Sequence, residues 1–246
     1  MMYKLTLLAA ALALAACATV PSDPVARAAY DQANDPLEPF NRTMFAFNME
    51  VDRIVLEPAA RGYRAAVPAG GRRAVTNFLR NLKSPVTLVN DLLQGNVHRA
   101  AQTSWDFVMN STVGILGLFD LTDDTDWENH EEDLGQTLAV WGVGAGPYLV
   151  LPFFSPSNMR DTAGLFGDHT LNAFEHVIGP LDDTRFFAGR TVAGAVESRE
   201  RTLEEFNDLR RTSLDFYATA RSLYRQSRSH QIRNGAPAAF GELSAE

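Results

Sequence analysis

The chain has 246 residues, 22 basic against 30 acidic, a formal charge of −8, and 46% hydrophobic and 10% aromatic side chains. That balance argues against general nucleic-acid binding, which needs a basic footprint, and the apolar content is ample for the core of one large domain or two small ones. The single cysteine, Cys17, excludes an internal disulfide.

Met1 to Ala16 carries one basic residue, Lys4, and then an apolar run from Leu5 to Ala16. This is the pattern of a bacterial secretory signal peptide, not of a transmembrane helix. Leu14-Ala15-Ala16-Cys17 reads as a lipobox, whose cysteine is acylated and becomes the first residue of a mature lipoprotein. At ~0.8 kcal/mol per buried methylene, two or three acyl chains anchor stably where one is marginal. Ala18 stands where an aspartate would signal inner-membrane retention, so the expected address is the outer membrane. Thr19 to Asn34 reads as a flexible tether. The expected organisation is a signal peptide over 1–16, a lipidated tether over 17–34, a helical domain over 35–229 and a disordered tail over 230–246.

In the first ordered element, Asp35 to Glu57, residues Leu37, Phe40, Met44, Phe47, Val51 and Ile54 recur at helical spacing, and Phe45 and Met49 widen the face. The stripe fits either a core face or a helix lying in a bilayer interface, flanked by arginines. Pro58 is expected to end it. Arg72-Arg73 open a helix through Leu82, against its dipole; an internal carboxylate and a lipid phosphate both fit as their partner. Ser84-Pro85 reads as a new helix start and Asn96 as another, running into the glycine-spaced neutral run Ser111 to Leu121.

Asp120 to Asp133 is acidic, but counted from Asp124 it lacks the glycine and the closing glutamate of a calcium loop. His130 lacks a second histidine at ligand spacing. The longer neutral stretch, Leu134 to Met159, is broken by Gly142, Gly144, Gly146 and Pro147 and again by Pro152 and Pro156, so it is too interrupted to span a bilayer. It fits a buried loop, or irregular backbone lining a cavity at membrane depth. Short helices to Phe166 and over Leu171 to Ile178 follow, then one or two long helices from Asp182 to about Ser229. The class is all-α. No hydrolase elbow, zinc-protease motif, P-loop or dinucleotide fingerprint occurs, and His98, His169 and His176 each stand alone, so no metal, cofactor or catalytic residue is expected.

Four blocks in order, DPLEPFNRTMFAFN at Asp35 to Asn48, NFLRNLKSPVTLVNDLLQG at Asn77 to Gly95, STVGILGLFD at Ser111 to Asp120 and GQTLAVWGVGAGPYLVLPFFSPSNMRD at Gly135 to Asp161, resemble the MlaA/VacJ family of outer-membrane lipoproteins. Phe154-Ser155 departs from the glycine that family members tend to carry there. The resemblance implies a ring-like single domain of amphipathic helices set in the periplasmic leaflet of a Gram-negative outer membrane, with glycine-rich segments lining a central channel. It implies removal of mislocalised phospholipids from the outer leaflet, their transfer to a soluble periplasmic carrier of the Mla system for return to the inner membrane, and association with a trimeric porin. On that reading Gly114, Gly117, Gly142, Gly144, Gly146, Tyr148 and Leu149 form the lipid path, because glycine lets backbone approach a ligand, and Phe40, Met44, Phe45 and Phe47 face the membrane. The rival readings are a phospholipase, whose nucleophile is not evident, and a structural or porin-associated envelope lipoprotein without lipid transfer.

Overall fold

The computed structural model describes residues 21–122, 130–171 and 184–236. Cys17, His176, residues 123–129 of the acidic loop, most of the expected helix Leu171 to Ile178, and residues 237–246 lie outside the described residues. The fold is all-α apart from one short hairpin. In order it comprises α1 (Pro24–Ala33), α2 (Glu38–Val51), a π-helical turn (Asp52–Leu56), α3 (Glu57–Ala66), α4 (Ala69–Leu93), α5 (Val97–Thr112) and α6 (Leu134–Val140). Then follow β1 (Tyr148–Val150), β2 (Pro156–Asn158), α7 (Met159–Leu171), α8 (Thr184–Arg201), α9 (Leu203–Thr212) and α10 (Phe216–Ile232). Among the described residues no helix is long and apolar enough to cross a membrane.

Several boundaries differ from the sequence expectation. Residues expected to be a loose tether form α1. Ser84-Pro85 does not start a helix: α4 runs unbroken from Ala69 to Leu93 with Pro85 inside it, and the Ser84 hydroxyl turns back onto the Arg80 carbonyl instead of capping. Pro58 does not stop the chain either, because the π-helical turn intervenes and Pro58 falls in the first turn of α3, where a missing N–H is harmless. The C-terminal region is three helices instead of one or two, broken at Thr202 and at Ser213 to Asp215, where Asp215 caps α10 by accepting from Ala218 N.

Contacts divide the chain into two compact units. The first takes the described residues up to Val51, Val143–Thr162 and those from Ser213 on. Its core is Phe45, Tyr148, Val150 and Tyr217, with Met44, Met49, Phe216, Ala220 and Tyr224 packed against them. Phe45 meets Phe216 and Tyr217 edge-on at 5.4 and 5.5 Å, a geometry that adds ~0.5–1.5 kcal/mol per pair to simple burial. β1 and β2 pair antiparallel, Tyr148 opposite Asn158 and Val150 opposite Pro156.

The second unit takes Asp52–Gly142 and Ala163–Thr212. Here α5 packs along α4 and α8 against α3. A glycine crossing joins α7 to α6: a side chain at Gly164 would come within 2.4 Å of the Gly135 nitrogen. Its interior is largely polar. Asn90 donates to Asp168 (3.1 Å) and accepts from Thr137 (2.7 Å), while Asp168 accepts the Leu134 N–H at 3.0 Å. Arg199 grips Asp52 of the π-helical turn through Nε (2.6 Å) and Nη2 (3.1 Å). Arg72 pairs with Glu200 at 3.2 Å, so the internal-carboxylate reading holds for that arginine.

Around the aromatic core of the first unit and through much of the second, many helical positions reverse the ordinary pattern. Asn41, Asp52, Asn81, Thr87, Asn90, Asp91 and Thr103 are buried, whereas Phe40, Phe47, Ile54, Leu92, Val97, Trp105 and Val108 are exposed. Buried polar and exposed large apolar side chains are the informative exceptions to ordinary globular patterning. This overturns the core-face reading for Phe40 and Phe47 on α2 and for Ile54 in the π-helical turn, while Leu37, Met44 and Val51 of the same stripe are half-buried. The inward face is the one bearing Asn41 and Phe45.

Candidate functional site

The neutral stretch after α6 is fastened by asparagine side chains at a seven-residue spacing, Asn34 in the turn after α1 and Asn41 and Asn48 on α2. Asn34 donates to the Gly146 carbonyl (2.7 Å), and its own carbonyl accepts from Tyr148 N (2.9 Å). Asn41 donates to the Tyr148 carbonyl (3.0 Å) and accepts from Val150 N (2.9 Å). Asn48 donates to the carbonyls of Leu151 (2.8 Å) and Phe154 (3.0 Å) and accepts from Phe153 N (2.8 Å). The carboxamides of Asn41 and Asn48 each donate and accept, the complement that a neighbouring strand would offer, whereas Asn34 donates through its side chain and accepts through its backbone. The spacing follows from geometry: seven helical residues advance about 10.5 Å and three extended residues about 10 Å, so amides two turns apart meet successive segments of an extended chain.

The ladder is locked from behind. Asp35, wholly buried, accepts from Asn41 (2.7 Å), from Arg221 (2.7 Å) and from the Tyr217 hydroxyl. At the far end, burial alone would push the Asp161 carboxyl up, but Arg228 at 2.8 Å and the Tyr224 hydroxyl outweigh it and hold it below the ordinary carboxylate range.

This scaffold sorts the expected path residues. Gly144 is exposed and a side chain there would meet nothing within 4 Å; Gly142 likewise faces open space, on a left-handed backbone with φ +87°. At Gly146, φ +68°, an added Cβ would come within 3.1 Å of Met159 Cβ. Leu149 is half-buried, but Tyr148 is a core residue and not part of an open wall. In the second unit Gly114 and Gly117 are buried, with an added Cβ 2.3 Å from the Phe119 carbonyl oxygen and 2.5 Å from Asn81 Cβ. They shape a loop and do not line a space. What that loop exposes is apolar: Ile115 (φ 53°) and Leu116 (φ 59°) are both left-handed and more than half exposed. Phe153 of the first unit repeats the pattern, with φ 66° and 73% exposure, edge-on to Phe47 at 5.2 Å. A β-branched or bulky residue at positive φ is strained by ~1–3 kcal/mol, so these side chains are presented outward against both local strain and the hydrophobic effect.

Of the residues expected to face a membrane, Phe40 and Phe47 are exposed, Met44 is half-buried, and Phe45 is corrected to the core, 8% exposed. Among the described residues the histidines assemble no relay. His130 Nε2 is 3.2 Å from both oxygens of Asp91 and 3.3 Å from the Thr103 hydroxyl. One nitrogen facing both partners cannot pass a proton from hydroxyl to carboxylate, which needs the two ring nitrogens in sequence. His98 is exposed. Apolar periodicity does not count asparagine and so passes over Asn34, Asn41 and Asn48, although their spacing is plain in the sequence.

Residues 33–231 match the family model described as MlaA lipoprotein. The chain belongs to the MlaA lipoprotein family. It is 33% identical over 250 residues to the intermembrane phospholipid transport system lipoprotein MlaA of Escherichia coli (strain K12), covering 99% of this chain and 92% of that protein. To the lipoprotein of the same name from Haemophilus influenzae it is 31% identical, over 94% and 90% of the two chains, and to an uncharacterized protein of Rickettsia bellii 36%, over 81% and 77%. A solved structure from work on the structural basis for maintenance of bacterial outer membrane lipid asymmetry matches with a TM-score of 0.69 at 32% identity, covering 80% of this chain and 98% of the other. All four MlaA-like sequence blocks fall inside the matched range, including the stretch from Asn34 to Phe154 that carries the asparagine ladder.

Proposed function

We propose that this chain is the outer-membrane lipoprotein of an intermembrane phospholipid transport system and maintains outer-membrane lipid asymmetry. It removes phospholipids that have strayed into the outer leaflet and passes them to a soluble periplasmic carrier for return to the inner membrane. The observation that carries this reading is the inverted dressing of the helices, polar within and apolar without, together with the outward, strained Ile115, Leu116 and Phe153. In hydrocarbon those faces have a solvent that suits them, while the buried asparagine and carboxylate networks satisfy backbone and polar groups that water cannot reach. Amphipathic helices such as α2 hold the protein in one leaflet without spanning it. The acylated Cys17 is the anchor, and a trimeric porin and the soluble carrier are the partners that the family resemblance implies.

The Gly142 to Gly146 loop is the lipid path in this reading: Gly142 and Gly144 leave open space beside a neutral backbone, and Leu149 continues it. Transfer makes and breaks no bond, so it asks for no nucleophile, in keeping with relatives named as transport-system lipoproteins. The test is phospholipid exposed on cells lacking the gene, measured with a membrane-impermeant amine-reactive label, with lysophospholipid assayed in the complemented strain. The expected result is a rise reversed by complementation without lysophospholipid. No rise favours a purely structural lipoprotein, and lysophospholipid release favours a phospholipase.

A further inference from the structure

Behind the Val113 to Leu121 loop, between α4 and α5, lies a polar cleft of about 40 Å³ whose walls include Asn77, Arg80, Asn81, Asp106, Asn110 and Asp120. Two of its buried oxygens are unsatisfied: Oδ1 of Asn81 and Oδ1 of Asp106 have no hydrogen-bond partner. Asn81 is 7% exposed, and its other amide atom is committed to Ser111 at 2.9 Å. A buried acceptor without a donor is unfavourable by about as much as a lost hydrogen bond and calls for an explanation. The remaining acids are already used. Asp120 accepts from Arg80 (3.2 Å) and Asn110 (3.2 Å), and Glu131 accepts from Lys83 (3.0 Å). Arg80 gives only Nη1 to Asp120 among the described residues, which leaves most of a five-donor guanidinium for another anion.

The cleft adjoins an apolar surface. Gly117 closes directly on Asn81, and Asn110 lines the cleft while holding the loop, its carbonyl accepting from Gly117 N (2.7 Å) and its Oδ1 from Leu121 N (2.9 Å). Ile115, Leu116 and Phe119 are therefore exposed beside a polar hole that holds two unsatisfied buried acceptors and the guanidinium of Arg80. The ligand that complements this set has a small cationic donor, a nearby anion and apolar tails.

We propose that the cleft is a headgroup subsite for an aminophospholipid, in which Asn81 and Asp106 accept protons of the primary ammonium and Arg80 meets the phosphate. Hydrogen bonding selects within the class: a primary ammonium has N–H groups to give to both orphan oxygens, whereas a trimethylammonium has none. Burial pushes the Asp106 carboxyl up, the Thr122 hydroxyl opposing it, so a cation arriving beside it favours the ionised form that burial disfavours. The inference rests on the phospholipid-transport reading above.

The test uses the full, lipidated protein in detergent, offered equal amounts of phosphatidylethanolamine, phosphatidylcholine and phosphatidylglycerol, with the bound lipid measured by native mass spectrometry. Phosphatidylethanolamine is expected to be enriched about fivefold or more over both others, the scale of one charge-assisted hydrogen bond. Asp106→Asn should abolish that preference, lowering bound phosphatidylethanolamine to the level of the other two lipids. Equal retention of the ethanolamine and choline lipids by the unaltered protein overturns the proposal whatever the variant does. Calcium chloride is titrated alone in parallel; binding that is lost in Asp106→Asn, with no ethanolamine preference, would make the cleft an inorganic cation site and also overturn it. If no phospholipid of any class is retained, the transport reading itself fails, whereas lipid held without class preference sinks the headgroup assignment alone.

Discussion

Val143 to Met159 and Val113 to Leu121 both present apolar side chains on largely irregular backbone, but the first is held from outside and the second from within. The first relies on carboxamides of another element, Asn41 and Asn48 on α2, and on its pairing across β1 and β2. The second relies on its own chain: Gly117 N and Phe119 N return to the carbonyls of Asn110 and Gly114, and its glycines sit where no side chain fits. An extended segment cannot satisfy its own N–H and C=O groups and must borrow partners, whereas a tight turn can do so if glycine and strained residues accept left-handed angles. The two regions should therefore fail to different mutations.

The largest effect is expected from Asn41→Leu. It removes one of three donors from the buried Asp35 carboxylate and takes the side-chain partner from the Tyr148 carbonyl and the Val150 N–H, a loss of about 3–5 kcal/mol, read from denaturant unfolding in detergent. Asn48→Ala faces a more open site where water substitutes, and should lose about 1 kcal/mol. If the two variants lose equal stability, support from outside does not hold the hairpin. In the self-held loop Gly114→Ala drives a methyl to 2.3 Å from a backbone oxygen and should lose about 2–3 kcal/mol. An unchanged midpoint for that variant would mean that the loop moves freely, and would break the comparison from the other side.

Titration distinguishes one carboxylate of each unit by sign. Asp161 in the first is held below its ordinary range despite its burial, so its contribution is present above the unfolded value near pH 4 and is lost as pH falls through the depressed folded value. Asp106 in the second is pushed up by burial, so the folded state holds its proton longer and stability is lost as pH rises from about 4 through the raised value. Asp161→Asn should lose about 1–2 kcal/mol at neutral pH, a deficit that closes in acid, while Asp106→Asn should lose nothing and gain up to about 1 kcal/mol at neutral pH. Unfolding midpoints in neutral and acidic buffer check both, and the same direction in both variants would contradict the assignment.

Much of this contrast was legible in the residues themselves. The all-α class, the family blocks and the two neutral segments follow from periodicity and from glycine and proline placement. What periodicity misreads is which face of α2 turns inward: it counts Phe40, Phe47 and Ile54 as a stripe but cannot weigh Asn41 and Asn48, whose value depends on an extended chain about a hundred residues away. Pro85 misleads for a related reason. A proline is tolerated inside α4 because the surrounding packing outweighs one missing hydrogen bond, and local sequence does not report that packing. The glycines divide in the same way, since the sequence marks Gly114 and Gly144 alike and only the neighbouring atoms separate a packed position from an open one.

That separation makes Gly144 the position of smallest structural effect and of greatest use. Gly144→Ala meets nothing within 4 Å and needs no left-handed angle, so its stability should stay within about 0.5 kcal/mol of the parent. Gly144→Asp should fold equally well, because the added carboxylate points into open space where water can solvate it. In a lipid path the same carboxylate would sit among acyl chains, where an ionised group is strongly disfavoured. The alanine variant should therefore restore normal lipid asymmetry to cells lacking the gene, while the aspartate variant, equally stable and equally anchored, should leave phospholipid exposed on the surface. Gly146→Asp would also block transfer, but its φ of +68° and its contact with Met159 would leave misfolding as a rival explanation. Full complementation by Gly144→Asp would remove the loop from the path and leave its openness without a role in transport.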